Sequence, residues 1–525
     1  MPQTRPLGAQ ISHMLKDRGV DTIFGIPGVH NQELYRGIEE AGITHVLARH
    51  EQGAGFMADG YARATDRPGV AYVITGPGLT NIMTPMGQAY SDSVPMLVIS
   101  SCLDEVAATK GQLHQMKDQR AAAETVCDWS EEASTPEAAY ALIDRALMEF
   151  ETGRPRPKHI QVPISVLEAR AEPAPPMPQA AAQNAIALDG CFDPILQAKR
   201  PLFILGGGAA HCGLQARQAL KTLKAASFET YAGRGIAGDG PLHFGSYLAR
   251  PDSARIIGEA DVVVLVGTEL AETDMWRRDA GMTGACIQVD VDPASFRQPG
   301  AINLHCDATT FFDRLLEMLE GHKANTGWTA QSVAATRQTW RAEVAADRPG
   351  LLPVIDALHD CLPELTVIYS DMTQFAYAAK EVWPMDRPGQ WHHPTGFGTL
   401  GYATPAAIGG AVARKGQPTL AIIGDYGFHY TMAELGVGVE LGLPLPIILW
   451  DNGKLKEIEE SMVRAQIAPN AVVARNPDFC KLAQAFGAHA AAPASLAEMQ
   501  ETVRAAFDAA GPTLIYLPPE LTSTR

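Results

Sequence analysis

The sequence has few of the features expected of a nucleic-acid-binding, membrane-bound or secreted protein. Its 42 lysine and arginine residues face 59 aspartate and glutamate residues, and the net charge of −17 would repel a phosphate backbone. No run of about 18 apolar residues occurs, so we expect no membrane-spanning helix. The first residues predict an amphipathic helix and lack the apolar segment of a signal peptide.

Cysteine is also sparse and scattered. The chain has eight cysteines, and no two of them form a CxxC pair. This spacing excludes a disulfide framework and a cysteine-ligated zinc site. Free thiols are typical of a reducing compartment, so we expect a cytoplasmic protein.

Short apolar strands alternate with helical segments along the whole chain. This alternation predicts an α/β fold with parallel sheets, and the length accommodates about three domains. A stretch rich in proline and alanine, residues 168–186, predicts a linker. We therefore expect three doubly wound parallel-sheet domains, at residues 1–170, 186–345 and 350–525.

An acid and an amide follow two strands of the third domain. Asp425 comes directly after the strand "TLAIIG", and Asn452 ends the strand "PLPIILW". Parallel strands end at the same edge of a sheet, so the two side chains should meet. Oxygen ligands of this kind suit Mg²⁺ completed by water and phosphate, and backbone N–H groups near Gly427 would favour the same phosphates. The alternative is that Asp425 caps a helix and Asn452 belongs to a turn.

The first domain has two comparable features. Glu51 begins the helix "EQGAGFMADGYARAT" directly after a strand. One interpretation is a simple carboxylate in the first turn of the helix. The other is a buried acid that holds a proton for a cofactor nitrogen, with its pKa set by desolvation. The strand and turn "VITGPGLTN", which contain Thr75 and Gly76, allow the backbone to approach a ligand closely.

Together these stretches resemble the thiamine-diphosphate enzymes of the acetohydroxyacid synthase and 2-oxo acid decarboxylase superfamily. The resemblance covers nearly the whole chain and includes "RHEQGAGFMADGYAR", "TGPG", "GTLGYATPAAIGG", and Asp425 with Asn452. It implies that the three domains are a pyrimidine-binding, a central Rossmann-like and a diphosphate-binding domain. It also implies thiamine diphosphate and Mg²⁺ as cofactors.

The resemblance assigns roles to individual residues. Glu51 would bind the aminopyrimidine ring, and Leu400 would hold the cofactor in its bent form, although core packing also explains this leucine. Asp425 and Asn452 would be the side-chain ligands of the metal, and Lys454 would add a backbone carbonyl. Further cofactor contacts are expected at Thr75, Gly76, Gln374, Gly398, Gly424, Tyr426 and Gly427.

The chain departs from the family pattern at two positions. Tyr426 replaces a glycine beside the diphosphate and would be strained if its φ were positive. Asp451 replaces the first asparagine of the usual pair. We expect that cofactor binding is retained, and the alternative is a catalytically silent homologue. The strand end "GTELAETDMW" lacks the Asp-Arg pair of the flavin-binding relatives, so we expect no FAD.

Several stretches, among them "GVDTIFGIPGVHNQELYRG" and "HPTGFGTLGY", resemble the 5-guanidino-2-oxopentanoate decarboxylases most. The resemblance implies non-oxidative decarboxylation of a 2-oxo acid to an aldehyde, with acetolactate-type carboligation as the alternative. A guanidinium substrate needs a carboxylate, and Glu457 and Glu459 are the candidates, with a solvated helix face that pairs with Lys454 and Lys456 as the alternative. His30 and His114 are candidates for proton transfer, with a surface position as the alternative, and Val29 and His114 are candidates for contacting substrate.

The same resemblance bears on assembly. In these enzymes the site lies between the pyrimidine domain of one subunit and the diphosphate domain of another. We therefore expect a homo-oligomer that is at least a dimer and, as is common in this family, a homotetramer. The only other partner that we expect is the small 2-oxo acid.

Overall fold

The computed structural model describes residues 3–104, 111–178, 190–324 and 326–522. It contains three parallel sheets flanked by helices, as the sequence predicts. The chain forms two compact units: residues 1–181, 361–373 and 396–521 make the first, and residues 182–360, 374–395 and 522–525 make the second. Part of the predicted linker, residues 179–186, lies outside the described residues. Within the described ranges, no helix has the length and apolar character needed to cross a bilayer.

The N-terminal sheet of the first unit is entirely parallel. Its strands lie in the order Thr44–Leu47, Thr22–Gly25, Gly69–Val73, Met96–Cys102, Lys158–Pro163, Trp129–Glu132. The helices around it are Leu7–Asp17, Gln32–Arg36, Glu51–Thr65, Pro77–Asp92, Gln119–Glu124, Pro136–Thr152 and Ile164–Glu168. The central strands are buried over their full length, which is why they read as continuous apolar runs.

The C-terminal sheet of the same unit is also parallel. The strands that belong to this unit lie in the order Val367–Ser370, Thr419–Gly424, Pro446–Trp450, Thr513–Leu517, His489–Ala491. Its helices are Ala403–Ala413, Asp425–Thr431, Leu435–Glu440, Lys456–Arg464, Phe479–Ala485 and Leu496–Ala506. The register pairs Gly424 with Trp450, so the residues that follow these two strands emerge side by side.

The two sheets of the first unit share one core through a pair of closely packed helices. Helix Glu51–Thr65 packs against helix Ala403–Ala413, and a Cβ atom on Gly60 would lie 1.9 Å from the carbonyl oxygen of Ala406. A Cβ atom on Gly409 would lie 1.9 Å from the carbonyl oxygen of Met57. The helices therefore meet backbone to backbone, which only glycine permits. Apolar residues from both sheets form one continuous buried cluster around this contact.

A buried polar network crosses the same interface. The Tyr402 hydroxyl donates to Asp59 Oδ1 over 2.6 Å, and Arg63 Nε donates to the same oxygen over 2.7 Å. Arg63 also donates to Asp92 Oδ2, while Asp92 Oδ1 accepts the backbone N–H of Gly396 at 2.7 Å. The network compensates the charge of the fully buried Asp59 and fixes the start of the segment that contains Gly398.

The second unit contains the central sheet. Its parallel strands lie in the order Ala226–Glu229, Pro201–Leu205, Val262–Val266, Ala285–Asp290, Ile302–His305. The helices that lie wholly in this unit include Asp193–Gln197, Gly213–Leu223, Ser253–Gly258, Glu272–Met275, Ala308–Met318, Ala330–Asp347 and Gln374–Val382, and helix Leu351–Cys361 ends at its boundary. Arg250 forms a bidentate ion pair with Glu381, at 2.5 and 2.7 Å, and this pair connects helix Gln374–Val382 to the rest of the unit.

Candidate active site

Glu51 lies at the carboxyl edge of the N-terminal sheet. It is the first residue of its helix, and the His50 side chain caps that helix by accepting the N–H of Gln52. Glu51 is 7% exposed, and its Oε2 accepts a hydrogen bond from Asn81 Nδ2 at 2.9 Å. A Cβ atom on Gly78 would come within 3.4 Å of Glu51 Oε1. Glu51 therefore faces the Gly-Pro-Gly turn, residues 76–78, in which Gly76 precedes helix Pro77–Asp92 and the next two residues begin it.

The side chain of buried Gln119 holds that turn in place. The N–H of Gly76 donates to Gln119 Oε1 at 2.8 Å, and Gln119 is anchored in turn on Ser100 and on the carbonyl of Ser101. Gly76 has a φ of 69°, and a Cβ atom there would lie 2.4 Å from the carbonyl oxygen of His114. Thr75 is buried, with its hydroxyl on Ser101 at 2.9 Å. The turn is rigid and leaves no room for a side chain at Gly76.

Two histidines meet beside the turn. The rings of His30 and His114 lie 5.0 Å apart in an edge-to-face arrangement. The Nδ1 atoms of both rings are buried without a hydrogen-bond partner among the described residues. Burial and the neighbouring His114 lower the pKa of His30, so its ring is neutral at physiological pH. Val29, the adjacent residue, is exposed. The structure thus brings Glu51, Gly76 and both predicted histidines to one edge of the sheet.

Glu434, which the sequence analysis does not single out, supports this edge from the C-terminal part of the unit. Its carboxylate accepts the backbone N–H groups of Arg49, at 3.1 Å, and of His50, at 2.9 Å. Burial raises the pKa of Glu434 to about 7, with a further contribution from Glu51, whereas the two N–H groups act in the opposite direction. No local pattern reveals this residue, because its partners lie 384 and 385 residues away in sequence.

Asp425 and Asp451 emerge side by side at the edge of the C-terminal sheet. Asn476 Nδ2 donates to Asp425 Oδ2 and to Asp451 Oδ1, both over 2.8 Å. Burial raises the pKa of Asp425 to about 6; the bond from Asn476 opposes this shift and the charge of Asp451 adds to it. A divalent cation bound to Asp425 would relieve the repulsion between these carboxylates, so this strand end fits one.

Asn452 lies in the turn that follows Asp451. Its Oδ1 accepts the backbone N–H of Lys454 at 3.3 Å, which keeps this amide oxygen near the strand end. The Lys454 ammonium pairs with Glu459 at 3.1 Å. Among the described residues no three histidine, cysteine, aspartate or glutamate side chains form a metal cluster. A cation here would therefore need amide, carbonyl or phosphate oxygens besides the carboxylates.

Tyr426 is free of the strain that a positive φ would cause. It lies in the first turn of helix Asp425–Thr431 and is absent from the left-handed residues of the chain. Gly424 and Gly427 flank it, and a Cβ atom on Gly427 would lie 3.0 Å from the carboxylate of Asp371. Burial raises the pKa of Asp371 to about 6, against hydrogen bonds from several backbone N–H groups.

The remaining predicted residues lie on three segments. Gly398 has a φ of 68°, and Leu400 is half-buried nearby in the same segment. Glu457 lies on helix Lys456–Arg464, which has no buried residue, 3.7 Å from Arg464. Gln374 begins helix Gln374–Val382, which belongs to the second unit.

Family models match all three parts of the chain. The N-terminal TPP binding domain of the thiamine pyrophosphate enzymes matches residues 5–122, the central domain residues 188–315, and the C-terminal TPP binding domain residues 371–517. The chain belongs to the thiamine pyrophosphate enzymes. The three sheets described above are the sheets of these domains, and Glu51 and Asp425 lie within the two TPP binding domains.

Individual members of the family match over nearly the full length. A probable 2-ketoarginine decarboxylase of Pseudomonas aeruginosa is 41% identical over 98% of this chain and 94% of its own length. The large subunit of acetolactate synthase isozyme 1 of Escherichia coli is 27% identical over 97% of this chain and 92% of its own length. The mitochondrial acetolactate synthase catalytic subunit of Saccharomyces cerevisiae is 26% identical, over 97% and 80%. This thiamine pyrophosphate enzyme is thus similar to both a decarboxylase and several synthases.

Proposed function

We propose that this enzyme decarboxylates a 2-oxo acid to an aldehyde without oxidation, using thiamine diphosphate and Mg²⁺, and that its substrate is 5-guanidino-2-oxopentanoate. The observation that carries the proposal is the edge at which Glu51, the Gly-Pro-Gly turn and the His30–His114 pair meet. The similarity to a probable 2-ketoarginine decarboxylase supports the choice of substrate.

The residues of this edge have separate roles in the proposal. Thiamine diphosphate, when bound, supplies the nucleophilic carbon and accepts the electron pair left by carbon dioxide. Glu51 holds the proton at the aminopyrimidine nitrogen, and Asn81 fixes the carboxylate by its bond to Oε2. His30, neutral because of burial, and His114 supply and accept protons near the substrate carbonyl. Thr75 and Gly76 line the cofactor.

The other half of the site holds the diphosphate. Asp425 and Asn452 bind Mg²⁺ together with the carbonyl of Lys454, and the backbone at Gly424, Tyr426 and Gly427 approaches the phosphates. Gly398 and Leu400 would contact the pyrimidine and thiazolium parts. In this proposal a homotetramer in the cytoplasm combines half-sites from different subunits, and FAD takes no part.

Measurement of carbon dioxide and aldehyde from a panel of 2-oxo acids tests the proposal. The panel contains pyruvate, branched and aromatic oxo acids and 5-guanidino-2-oxopentanoate. Equal amounts of carbon dioxide and aldehyde from the guanidino acid are the expected result. Glu51→Gln should abolish the reaction, whereas the exposed Glu39→Gln, which makes the same chemical change elsewhere in this domain, should not. Acetolactate formed from pyruvate would instead favour a synthase. No product from any of the acids, together with no rise in melting temperature on addition of thiamine diphosphate, would favour a catalytically silent homologue.

Recognition of the guanidinium group is assigned to Glu457. Glu459, its neighbour on the same helix, is paired with both Lys454 and Lys456 at about 3 Å, whereas Glu457 lies 3.7 Å from Arg464. Glu457→Gln should raise KM for the guanidino acid far more than for a neutral oxo acid. Glu459→Gln is the matched control. Equal effects on both substrates would remove Glu457 from the proposal.

A further inference from the structure

Asn476 links the two strand-end carboxylates of the C-terminal sheet. Its Nδ2 lies 2.8 Å from both Asp425 Oδ2 and Asp451 Oδ1, and its Oδ1 lies 3.1 Å from His429 Nε2. Two carboxylates require a donor, so the amide orientation follows from its surroundings. His429 is fixed in turn against the Phe479 ring, with the ring centroids 5.4 Å apart. The whole arrangement is defined by partners on three segments.

We propose that Asn476 and Asp451 are positioning residues that hold Asp425 in the orientation in which it binds a divalent cation. This inference rests on the proposed function, because that function assigns the cation to Asp425. It adds that one side-chain amide, 51 residues away in sequence, determines how well the cation binds.

Both carboxylate oxygens of Asp451 already accept hydrogen bonds from donors of the protein itself. Its Oδ1 accepts Asn476 and the backbone N–H of Gly453 at 2.9 Å, and its Oδ2 accepts the hydroxyl of Tyr516 at 3.1 Å. A cation bound to Asp451 would have to displace these bonds. Asp451 therefore acts as an anchor for Asn476 and for the turn that carries Asn452.

The bridge restricts Asp425 in a specific way. A bond to Oδ2 restricts rotation about the Cβ–Cγ bond, so it favours one direction for the lone pairs of Oδ1. Without the bridge the carboxylates would repel each other across the strand ends and Asp425 would adopt several orientations. Groups that orient a metal ligand in this way typically contribute about 10–100-fold in metal affinity.

Positioning and simple charge attraction give opposite predictions for one variant. Asn476→Asp has nearly the same shape but adds a negative charge and removes the donor. If charge alone governs affinity, this variant binds a cation more tightly. If the bridge governs it, the variant binds more weakly in spite of the added charge. Asn470→Asp adds the same charge to an exposed asparagine six residues earlier and is the matched control.

The test is a titration of the full-length enzyme with Mn²⁺ in saturating thiamine diphosphate, followed by electron paramagnetic resonance. We expect Asn476→Ala and Asn476→Asp to weaken Mn²⁺ binding roughly tenfold or more, with Asn470→Asp unchanged. Asp451→Asn keeps an acceptor for Asn476 and should change affinity only a few-fold. The melting temperature of each apoprotein checks folding, and Asn476→Gln, which displaces the amide by one methylene, serves if another variant does not fold.

The outcomes separate the two proposals. Wild-type affinity in Asn476→Asp, or a loss in Asp451→Asn as large as that in Asn476→Ala, would overturn the positioning role and leave the proposed function intact. Failure of the wild-type enzyme to bind Mn²⁺ with thiamine diphosphate would overturn both. Weak binding in the Asn476 variants with normal apoprotein melting would establish the positioning role.

Discussion

The carboxylate of Glu434 lies 2.9 Å from the backbone nitrogen of His50 and accepts its N–H group. Glu434 also accepts the N–H of Arg49, so one buried side chain of the C-terminal domain holds the residues that precede Glu51. A Cβ atom on Gly53 would lie 2.1 Å from Glu434 Oε1, which shows how closely the two parts approach. The orientation of Glu51 therefore depends on a residue far from it in sequence.

Removal of this contact should destabilise the protein and disturb the Glu51 helix. Glu434→Ala removes the acceptor of the N–H groups of half-buried Arg49 and exposed His50, which costs about 0.5–1.5 kcal/mol for each hydrogen bond lost. Glu434→Gln keeps an amide oxygen in place and should retain most of the stability at pH 7. Urea unfolding of both variants measures the difference. Equal stability of Glu434→Ala and the wild-type protein would contradict the assignment.

The pKa of Glu434 predicts how stability varies with pH. The carboxyl titrates near 4.5 in the unfolded chain and at about 7 in the folded protein, so the folded state binds a proton more tightly. Its contribution is therefore fully present below pH 4.5, declines as the pH rises, and is lost above about 7. Glutamine does not titrate, so Glu434→Gln should remove this pH-dependent part of the free energy of unfolding. That part is on the order of a few kcal/mol.

The measurement is the free energy of unfolding between pH 5 and pH 8.5, with Glu39→Gln as the control for loss of one exposed carboxylate. The wild-type protein and this control should show parallel curves, and Glu434→Gln should diverge upwards from them as the pH rises. Three parallel curves would show that Glu434 does not titrate in this range.

Gly60 should tolerate no side chain. A Cβ atom there would lie 1.9 Å from the carbonyl oxygen of Ala406, so Gly60→Ala forces apart the helices that join the two sheets of the first unit. We expect a loss of soluble protein, or of several °C in melting temperature, because overpacking in a core typically costs about 1–3 kcal/mol or more. Gly511→Ala, where a Cβ atom would meet nothing within 4 Å, should be neutral. Similar melting temperatures for the two variants would contradict the close approach.

Tyr426→Gly tests whether the departure from the family pattern weakens cofactor binding. Tyr426 has a helical conformation, so restoring the usual glycine relieves no strain. We expect a small loss of stability, about 0.5–1 kcal/mol from the lower helix propensity of glycine, and no gain in affinity for thiamine diphosphate. Quenching of tryptophan fluorescence by the cofactor measures the affinity. A gain of tenfold or more would show that the tyrosine obstructs the diphosphate.

Local patterns in the sequence predict the elements of the fold well. The helix predicted over residues 51–65 is observed as Glu51–Thr65, and the strands that end before Asp425 and Asp451 lie where their apolar runs place them. Patterns fail where the chain changes geometry. The stretch "YTMAELGVGVELG", which favours one continuous helix from residue 430, is interrupted by a 3₁₀ turn, Met432–Glu434, which directs Glu434 at the Glu51 helix.

The supporting residues of the site could not be found in the same way. Asn81, Glu434 and Asn476 act through one or two hydrogen bonds each to these carboxylates and N–H groups, across 25 to 385 residues, and such bonds leave no periodicity in the sequence. In the sequence Asp451 stands out only as a departure from the family pattern. Its bond to Asn476 explains how an aspartate is accommodated there, because each of its oxygens has a donor.

The shared core of the first unit has a consequence for biosynthesis. Its members extend from Phe24 to Leu514, with residues 182–360 and 374–395 of the second unit encoded between them. At about 5–20 residues per second, the N-terminal sheet leaves the ribosome many seconds before its packing partner, helix Ala403–Ala413, has been made. During this interval the apolar face of helix Glu51–Thr65 is uncovered. The nascent chain should therefore require a chaperone that shields this face until translation ends.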